Sequence, residues 1–427
     1  MRGPSFVHTR RWASLGGTAT LVLLLVACPD RLLTMASPST IDPQTLSVTS
    51  ELGKRLRAHV EALASPELAG RKPGTPGIRA AADYITARFR EAHLEPLPSL
   101  GGYGQPVSPF LGDNLIAVRP AAAPHRLSPG PLRWLLIGAH YDHLGGRYLG
   151  ADDNASAVAI LLETARLLPS LQHHPILFVA FNTEESPYIR TPLMGSQYFV
   201  DHLPAEIGSA ASLQTVIIMD LMGGVHWAPL REVVFAAGAE KSPALYRRVK
   251  EVIRTLRRED GLTVLPVGMH LVEEIPLLGS TSFSDYDAFR DASVPFLFLS
   301  SGRTPRYHQP SDLPDTLHYE RMAATVRWLS QAILHIDQDS EPYSFQADRL
   351  EFADEVASFR PIVSQAADQK TKIPGTSFLS LWKLKRDATW IQELDATPPS
   401  PEDIKRLERL SMRIQCLLVE FPVCFPI

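Results

Sequence analysis

Apolar residues recur at helical spacing twice before residue 90, as Leu52, Leu56, Val60 and Leu63 and then as Ile78, Ala82, Ile85 and Phe89. Each set falls on one face of a 3.6-residue turn, so two amphipathic helices are predicted. The link between them, Gly70-Arg71-Lys72-Pro73-Gly74-Thr75-Pro76-Gly77, is rich in turn formers. Beyond it the period changes. Short, almost continuously apolar runs occupy residues 114–118, 132–137, 176–181, 216–219, 233–236 and 294–299. A strand with one wet face alternates, whereas a continuous run marks a strand covered on both faces. Helical patterns lie between several runs. Residues 155–168 form one; another opens at Ser242-Pro243, read as cap and first helical position, with Leu245, Val249, Val252 and Leu256 as its stripe. Met322, Val326, Leu329 and Ile333 predict a further helix. The alternation predicts an α/β fold, a single large domain with a mixed, mostly parallel β-sheet flanked by helices. Near the end, Ser400-Pro401-Glu402-Asp403 starts a helix with Ile404, Leu407, Leu410, Ile414 and Leu417 on one face, so residues 337–427 are expected to be a C-terminal helical extension.

The N-terminal segment has another purpose. Arg2, Arg10 and Arg11 precede a seven-residue apolar core, residues 21–27, too short to span a bilayer, which takes about 20 residues. Residues 1–27 read as a secretory signal. The ending Leu25-Val26-Ala27-Cys28 resembles a bacterial lipobox, so the expectation is an exported protein, periplasmic or at the cell surface, anchored through a lipidated Cys28. Residues 28–45 would then be a tether and 46–336 the main domain. Composition excludes other classes. Of 427 residues, 45% are hydrophobic and 21% charged, near the globular average, which excludes a disordered or multi-span protein. With 42 Lys+Arg against 46 Asp+Glu and no long basic run, nothing marks a nucleic-acid partner. Three cysteines are too few for a disulfide framework or a thiolate zinc site. With Cys28 assigned to the anchor, Cys416 and Cys424 remain as a pair able to form a disulfide in an oxidising compartment.

Ligands of open α/β sheets lie beyond the carboxyl ends of the strands, so the residues after each run carry the chemistry. Gly138-Ala139-His140-Tyr141-Asp142-His143 follows one run, Asn182-Thr183-Glu184-Glu185 a second, Asp220 a third, and a loop with Tyr307-His308-Gln309-Pro310-Ser311-Asp312 a fourth. Gly150-Ala151-Asp152-Asp153-Asn154 opens a helix. Each piece has an ordinary alternative: Asp152 and Asp153 as helix caps, paired glutamates as a solvated face, His308 as a loop residue. Together they gather imidazole and carboxylate groups at one edge, a donor mixture that suits zinc.

These motifs, with Met194-Gly195-Ser196 and Ser284-Asp285-Tyr286-Asp287-Ala288-Phe289, resemble the secreted di-zinc aminopeptidases of the bacterial leucyl aminopeptidase and aminopeptidase Y type, from Leu52 to Ile336. The resemblance implies two zinc ions, one on His140 and Asp220, the other on Glu185 and His308, bridged by Asp153. It implies Glu184 as general base, Asp142 as the acceptor that fixes the tautomer of His140, and peptide or protein N-termini as substrate. Only the family decides that Asp153 rather than Asp152 bridges, and that Glu184 rather than Glu185 is free of metal. Asp152, Asp285 and Asp312 are left with supporting roles. Tyr286 stands where many members have histidine, and the stretch from Glu185 to Gly195 is longer than usual. His226, Trp227 and His270 are read as core or loop residues rather than pocket lining. A glutaminyl-cyclase-like single-zinc enzyme and a non-catalytic binding lipoprotein are the rival readings on the same fold.

Overall fold

The structure is a computed structural model that describes residues 48–123, 132–255, 261–275, 279–281, 283–368, 373, 376–394 and 398–419. The expected signal, the lipidated Cys28 and the whole tether lie outside the described residues. Every continuous apolar run is a strand. Strands β1 (Gly104–Ser108), β2 (Gly112–Arg119), β3 (Trp134–His140), β4 (Ile176–Phe181), β5 (Leu213–Met219), β6 (Val233–Ala237) and β7 (Thr263–Pro266) precede a two-residue ladder, β8 (Glu274–Ile275) and β9 (Gly279–Ser280), and β10 (Phe296–Ser300). Eight of them form one sheet in the order β1-β2-β4-β3-β5-β10-β6-β7. The centre is parallel, with β3 between β4 and β5 and β10 beside β5, while β1, β2 and the β6–β10 pair add antiparallel contacts. Strands β3, β4 and β5 are buried at every position, which is why their sequences lack alternation.

Helices cover both faces. On one lie α1 (Glu51–Leu63), α2 (Pro76–Glu91), α3 (Ala157–Leu167), α5 (Pro243–Thr255) and α8 (Tyr319–Ile336), whose Leu56, Ile85, Ile160, Val249 and Leu329 share a core with Ile137, Phe178, Ile217 and Leu299. The other face carries α4 (Gly195–Asp201), α6 (Met269–Glu273), α7 (Tyr286–Asp291), α9 (Phe352–Ala367), α10 (Phe378–Glu393) and α11 (Pro401–Leu418). Their Phe199, Phe289, Val356, Leu384 and Leu407 pack with Leu136, Val179, Ile218 and Phe296, the side chains that alternate to that face. The C-terminal helices therefore share a core with the sheet, each buried leucine contributing about 2 kcal/mol. Helix starts follow the sequence signals: Ser50 and Thr75 accept from backbone N–H groups of α1 and α2, and Ser400 and Asp403 form a reciprocal capping box on α11. Ser242 departs from expectation. It precedes α5, but its buried hydroxyl makes no hydrogen bond, so Pro243 alone favours that start. Among the described residues no helix is long and apolar enough to cross a membrane. Cys416 is disulfide-bonded, and Cys424 lies outside the described residues.

Candidate metal centre

Parallel pairing in register carries the carboxyl ends of β3, β4, β5 and β10 to one edge, with His140 paired to Phe181 and Leu299 to Met219. His140 is the last residue of β3; Asp220 follows β5 directly, Glu184 and Glu185 stand just past β4, and His308 lies in the loop after β10. Asp153 sits in the widened turn Ala151–Ser156 before α3, where non-helical dihedrals at Asp153 and Asn154 interrupt the helix. Thr183, Leu221 and His308, all at or beside these residues, hold positive φ. Such conformations cost a non-glycine residue about 1–3 kcal/mol and persist where the surroundings impose them.

Two groups form around Asp153. His140, Asp153 and Asp220 offer ligand atoms within 4.8 Å of one another, and so do His143, Asp153 and Glu185. His140 Nε2 lies 3.4 Å from Asp153 Oδ1 and 3.5 Å from Asp220 Oδ1. His308 Nε2 lies 3.1 Å from Asp153 Oδ2 and 3.2 Å from Glu185 Oε2. Yet His308 Nε2, Asp153 Oδ2 and Asp220 Oδ1 are buried atoms without a hydrogen bond. Close approach without hydrogen-bond alignment leaves buried polar atoms aimed at a common third partner, the condition a cation relieves. Their imidazole and carboxylate chemistry suits zinc.

Backbone donors hold these candidate ligands in place. Asp142 accepts from the N–H groups of Glu184 and Glu185 at 3.1 and 3.2 Å, binding the end of β3 to the loop after β4. The expected tautomer contact is redirected: His140 Nδ1 meets the Asp142 backbone oxygen at 3.2 Å, while its carboxylate stands 3.7 Å away, already engaged by those two N–H groups. Asp312 accepts from the N–H groups of Asp152 and Asp153, and Asp152 from those of Gly223 and Gly224, tying the turn that carries Asp153 to the loop after β5. Asn154 adds bonds to Met219 O and Leu221 N on either side of Asp220.

Burial and like charge set the electrostatics. Burial pushes the Glu184 carboxyl well above the ordinary range, reinforced by Glu185, Asp220 and Asp285 against the opposing pull of His140. Burial would raise Asp153 too, but His140, His308 and His143 outweigh it and hold its carboxylate well below the ordinary range. Asp285 is buried beside this group, and its desolvation lifts its carboxyl to about 7.

Residues 114–333, just over half of the chain, match the sequence profile of peptidase family M28. The chain belongs to peptidase family M28. With it the protein joins a metallopeptidase family. This M28 chain is 28% identical over 218 residues to YfbL of Escherichia coli, an uncharacterized protein, covering 46% of the chain and 64% of YfbL. It is 31% identical over 142 residues to the aminopeptidase YwaD of Bacillus subtilis, covering 33% of the chain and 27% of YwaD. The chain thus spans less than two thirds of the length of either relative. Its fold resembles that of LapB from Legionella pneumophila, with TM-score 0.53, 18% identity and coverage of 72% of the chain and 84% of LapB. BSAP, a zinc aminopeptidase from Bacillus subtilis, gives TM-score 0.50 at 14% identity, covering 70% of the chain and all of BSAP.

In the M28 chain all seven sequence-predicted site residues, His140, Asp142, Asp153, Glu184, Glu185, Asp220 and His308, converge. Two others were missed. His143 is fully buried with Nδ1 2.8 Å from Glu185 Oε1, placed by the same His-Tyr-Asp-His segment. Arg71, fully buried, donates to the carbonyls of Leu63, Tyr141, Leu149 and Gly150. Of the three residues read as core or loop, Trp227 is core, His226 is partly buried, and His270 lies between Glu355 and Glu408.

Proposed function

We propose that the protein is a zinc-dependent exopeptidase of the aminopeptidase kind, removing N-terminal residues from peptides with two zinc ions and a glutamate general base. The observation that carries this reading is the convergence on Asp153 of His140 and Asp220 on one side and of Glu185 and His308 on the other, with His308 Nε2, Asp153 Oδ2 and Asp220 Oδ1 left without hydrogen bonds. His140 and Asp220 would hold one zinc, Glu185 and His308 the other, and Asp153 both. Zinc bound there polarises the scissile carbonyl and makes water acidic enough to attack at neutral pH. His143 donates to Glu185 Oε1 and leaves Oε2 facing His308. Glu184, whose Oε2 is 3.8 Å from His140 Nε2, takes the proton of the attacking water and returns it to the leaving amine. A carboxyl whose proton affinity is lifted by burial and neighbouring carboxylates is suited to that exchange. The similarity to YwaD, an aminopeptidase, agrees with this reading.

The test is metal content with turnover. Purified protein is expected to hold two zinc ions and to release leucine from leucyl anilide. Glu184→Gln should keep the metal and lose about 10²–10⁴ in kcat. A single zinc with cyclisation of N-terminal glutamine would replace this reading with the cyclase one; folded protein that binds no zinc and hydrolyses nothing would end both. An exported protein held to the membrane by a lipidated Cys28 completes the proposal, and labelling with a radioactive fatty acid, lost in Cys28→Ala, checks it.

A further inference from the structure

Two arginines stand in the loop that delivers His308, and they are treated differently. Arg306 is spent, its guanidinium donating to Val225 O at 2.7 Å. Arg303 is only partly buried and lies over two aromatic rings, 4.4 Å from the centre of Phe283 and 4.7 Å from that of Tyr307. Among the described residues no carboxylate lies within ion-pair distance of it, and residues 276–278 and 282, undescribed neighbours of Phe283 in sequence, are Pro, Leu, Leu and Ser. The Tyr307 ring in turn stacks on His308 at 3.8 Å and 19°. A planar cation held across its faces by rings keeps its edge donors free, and that edge matches a carboxylate in a two-pronged contact.

We infer that Arg303 forms a carboxylate-binding subsite next to the metal centre, so that the substrates cleaved best are short peptides bearing a carboxylate one or two residues from the scissile bond. The inference rests on the peptidase reading above. Arg303 is two ring contacts from His308, 3.8 Å and then 4.7 Å. Two extended residues span about 7 Å, so a group held at His308 and a carboxylate at Arg303 fit one short substrate. That carboxylate comes either from the side chain of an N-terminal Glu or from the C-terminus of a dipeptide. Phe283 and Tyr307 position Arg303, and the loop that supplies the ligand His308 also supplies the selectivity.

Two isosteric substrate pairs separate the sources: glutamyl against glutaminyl anilide, and Leu-Gly against Leu-Gly amide. In the zinc-loaded full chain, kcat/KM is expected to favour the carboxylate member of one pair by about tenfold to a hundredfold, the worth of a charge-assisted contact. In Arg303→Met that ratio should fall to near one, and in Arg303→Lys to an intermediate value, because lysine keeps the charge without the fork. The glutamyl pair identifies a side-chain subsite and the Leu-Gly pair a dipeptidase subsite. Equal rates within both pairs in the wild type, or a preference that survives Arg303→Met, would overturn the inference. Leucyl anilide keeps the two readings apart: if it is cleaved while both ratios are one, only the subsite fails, and if a zinc-loaded protein cleaves none of the five substrates, the peptidase reading fails.

Discussion

Around Glu163 and around Asp153 the chain buries a carboxylate beside cationic or imidazole partners, one histidine and two arginines at the first and three histidines at the second, with opposite results. Glu163 on α3 accepts from His59 Nε2 at 3.0 Å, from Arg55 Nε at 3.0 and 3.1 Å and from Arg166 Nε at 2.9 Å. His59 completes its own bonding through Nδ1 to Tyr84 OH at 2.7 Å, so α1, α2 and α3 are pinned together. Burial would raise the Glu163 carboxyl, but these partners bring it down to about 2. At Asp153 the neighbours come as close while Oδ2 and the facing His308 Nε2 stay without hydrogen bonds. A buried polar set that satisfies itself is structure; one that cannot is waiting for a partner from outside.

The largest expected effect breaks the second set. Asp153→Asn removes one charge from both ligand groups at once, so zinc content should fall well below two per chain and kcat/KM by more than about a thousandfold. Retention of two zinc ions with full turnover would show that Asp153 is not shared. Glu163→Gln tests the first set and should act on stability alone. Losing the buried charge from a fully paired site is expected to cost about 2 kcal/mol, less than a wholly buried pair because Arg55 and Arg166 reach solvent. Zinc content and turnover of the folded protein should not change. Its pH dependence has a defined sign: with the folded carboxyl near 2 and the ordinary value at 4.5, the contribution is complete above pH 4.5 and disappears as pH falls toward 2. Urea unfolding of wild type and variant should therefore differ at pH 6 and converge below pH 3. A constant gap would assign the loss to packing instead.

Which parts were legible follows from the same physics. Strands buried on both faces have no option but continuous apolar sequence, so β3, β4, β5 and β10 declared themselves, and the places of the candidate site residues after them followed from topology, while their roles came only with the family resemblance. The edge strands were silent. β1 is Gly-Gln-Pro-Val-Ser, and β7 is four residues with one buried side chain, neither enough for a periodic signal. His143 was passed over because spacing cannot tell which side chains of His140-Tyr141-Asp142-His143 turn inward once the strand has ended. Arg71 was invisible for a different reason. Its acceptors are carbonyls from residues 63 to 150, which leave no mark in side-chain sequence. The packing of α10 was hidden as well, since its buried positions include Ser380 and Asp387 beside Leu384 and Ile391.

The smallest effect concerns a third imidazole, which places the contrast outside the metal centre. His270 on α6 meets Glu355 Oε2 of α9 at 3.0 Å and Glu408 Oε1 of α11 at 2.8 Å, so both ring nitrogens are engaged, as in the Glu163 set. Burial would lower its pKa, but the two glutamates outweigh that and raise it above 6.5. The raised value gives the sign: the contribution is complete below pH 6.5 and is lost as pH rises through the folded value. Glu408 is partly solvated, which limits the effect to about 1 kcal/mol. It should be local, because Ser411 and Gln415 on α11 also donate to Leu271 O and hold the helix when the imidazole is neutral. Amide exchange in residues 401–418, corrected for the intrinsic rate, should then be several-fold faster at pH 9 than at pH 6. His270→Gln should remove that difference while leaving exchange in α3 untouched. Equal protection at both pH values would mean that the charge on the imidazole contributes nothing and that packing with the Ser411 and Gln415 bonds holds α11 in place.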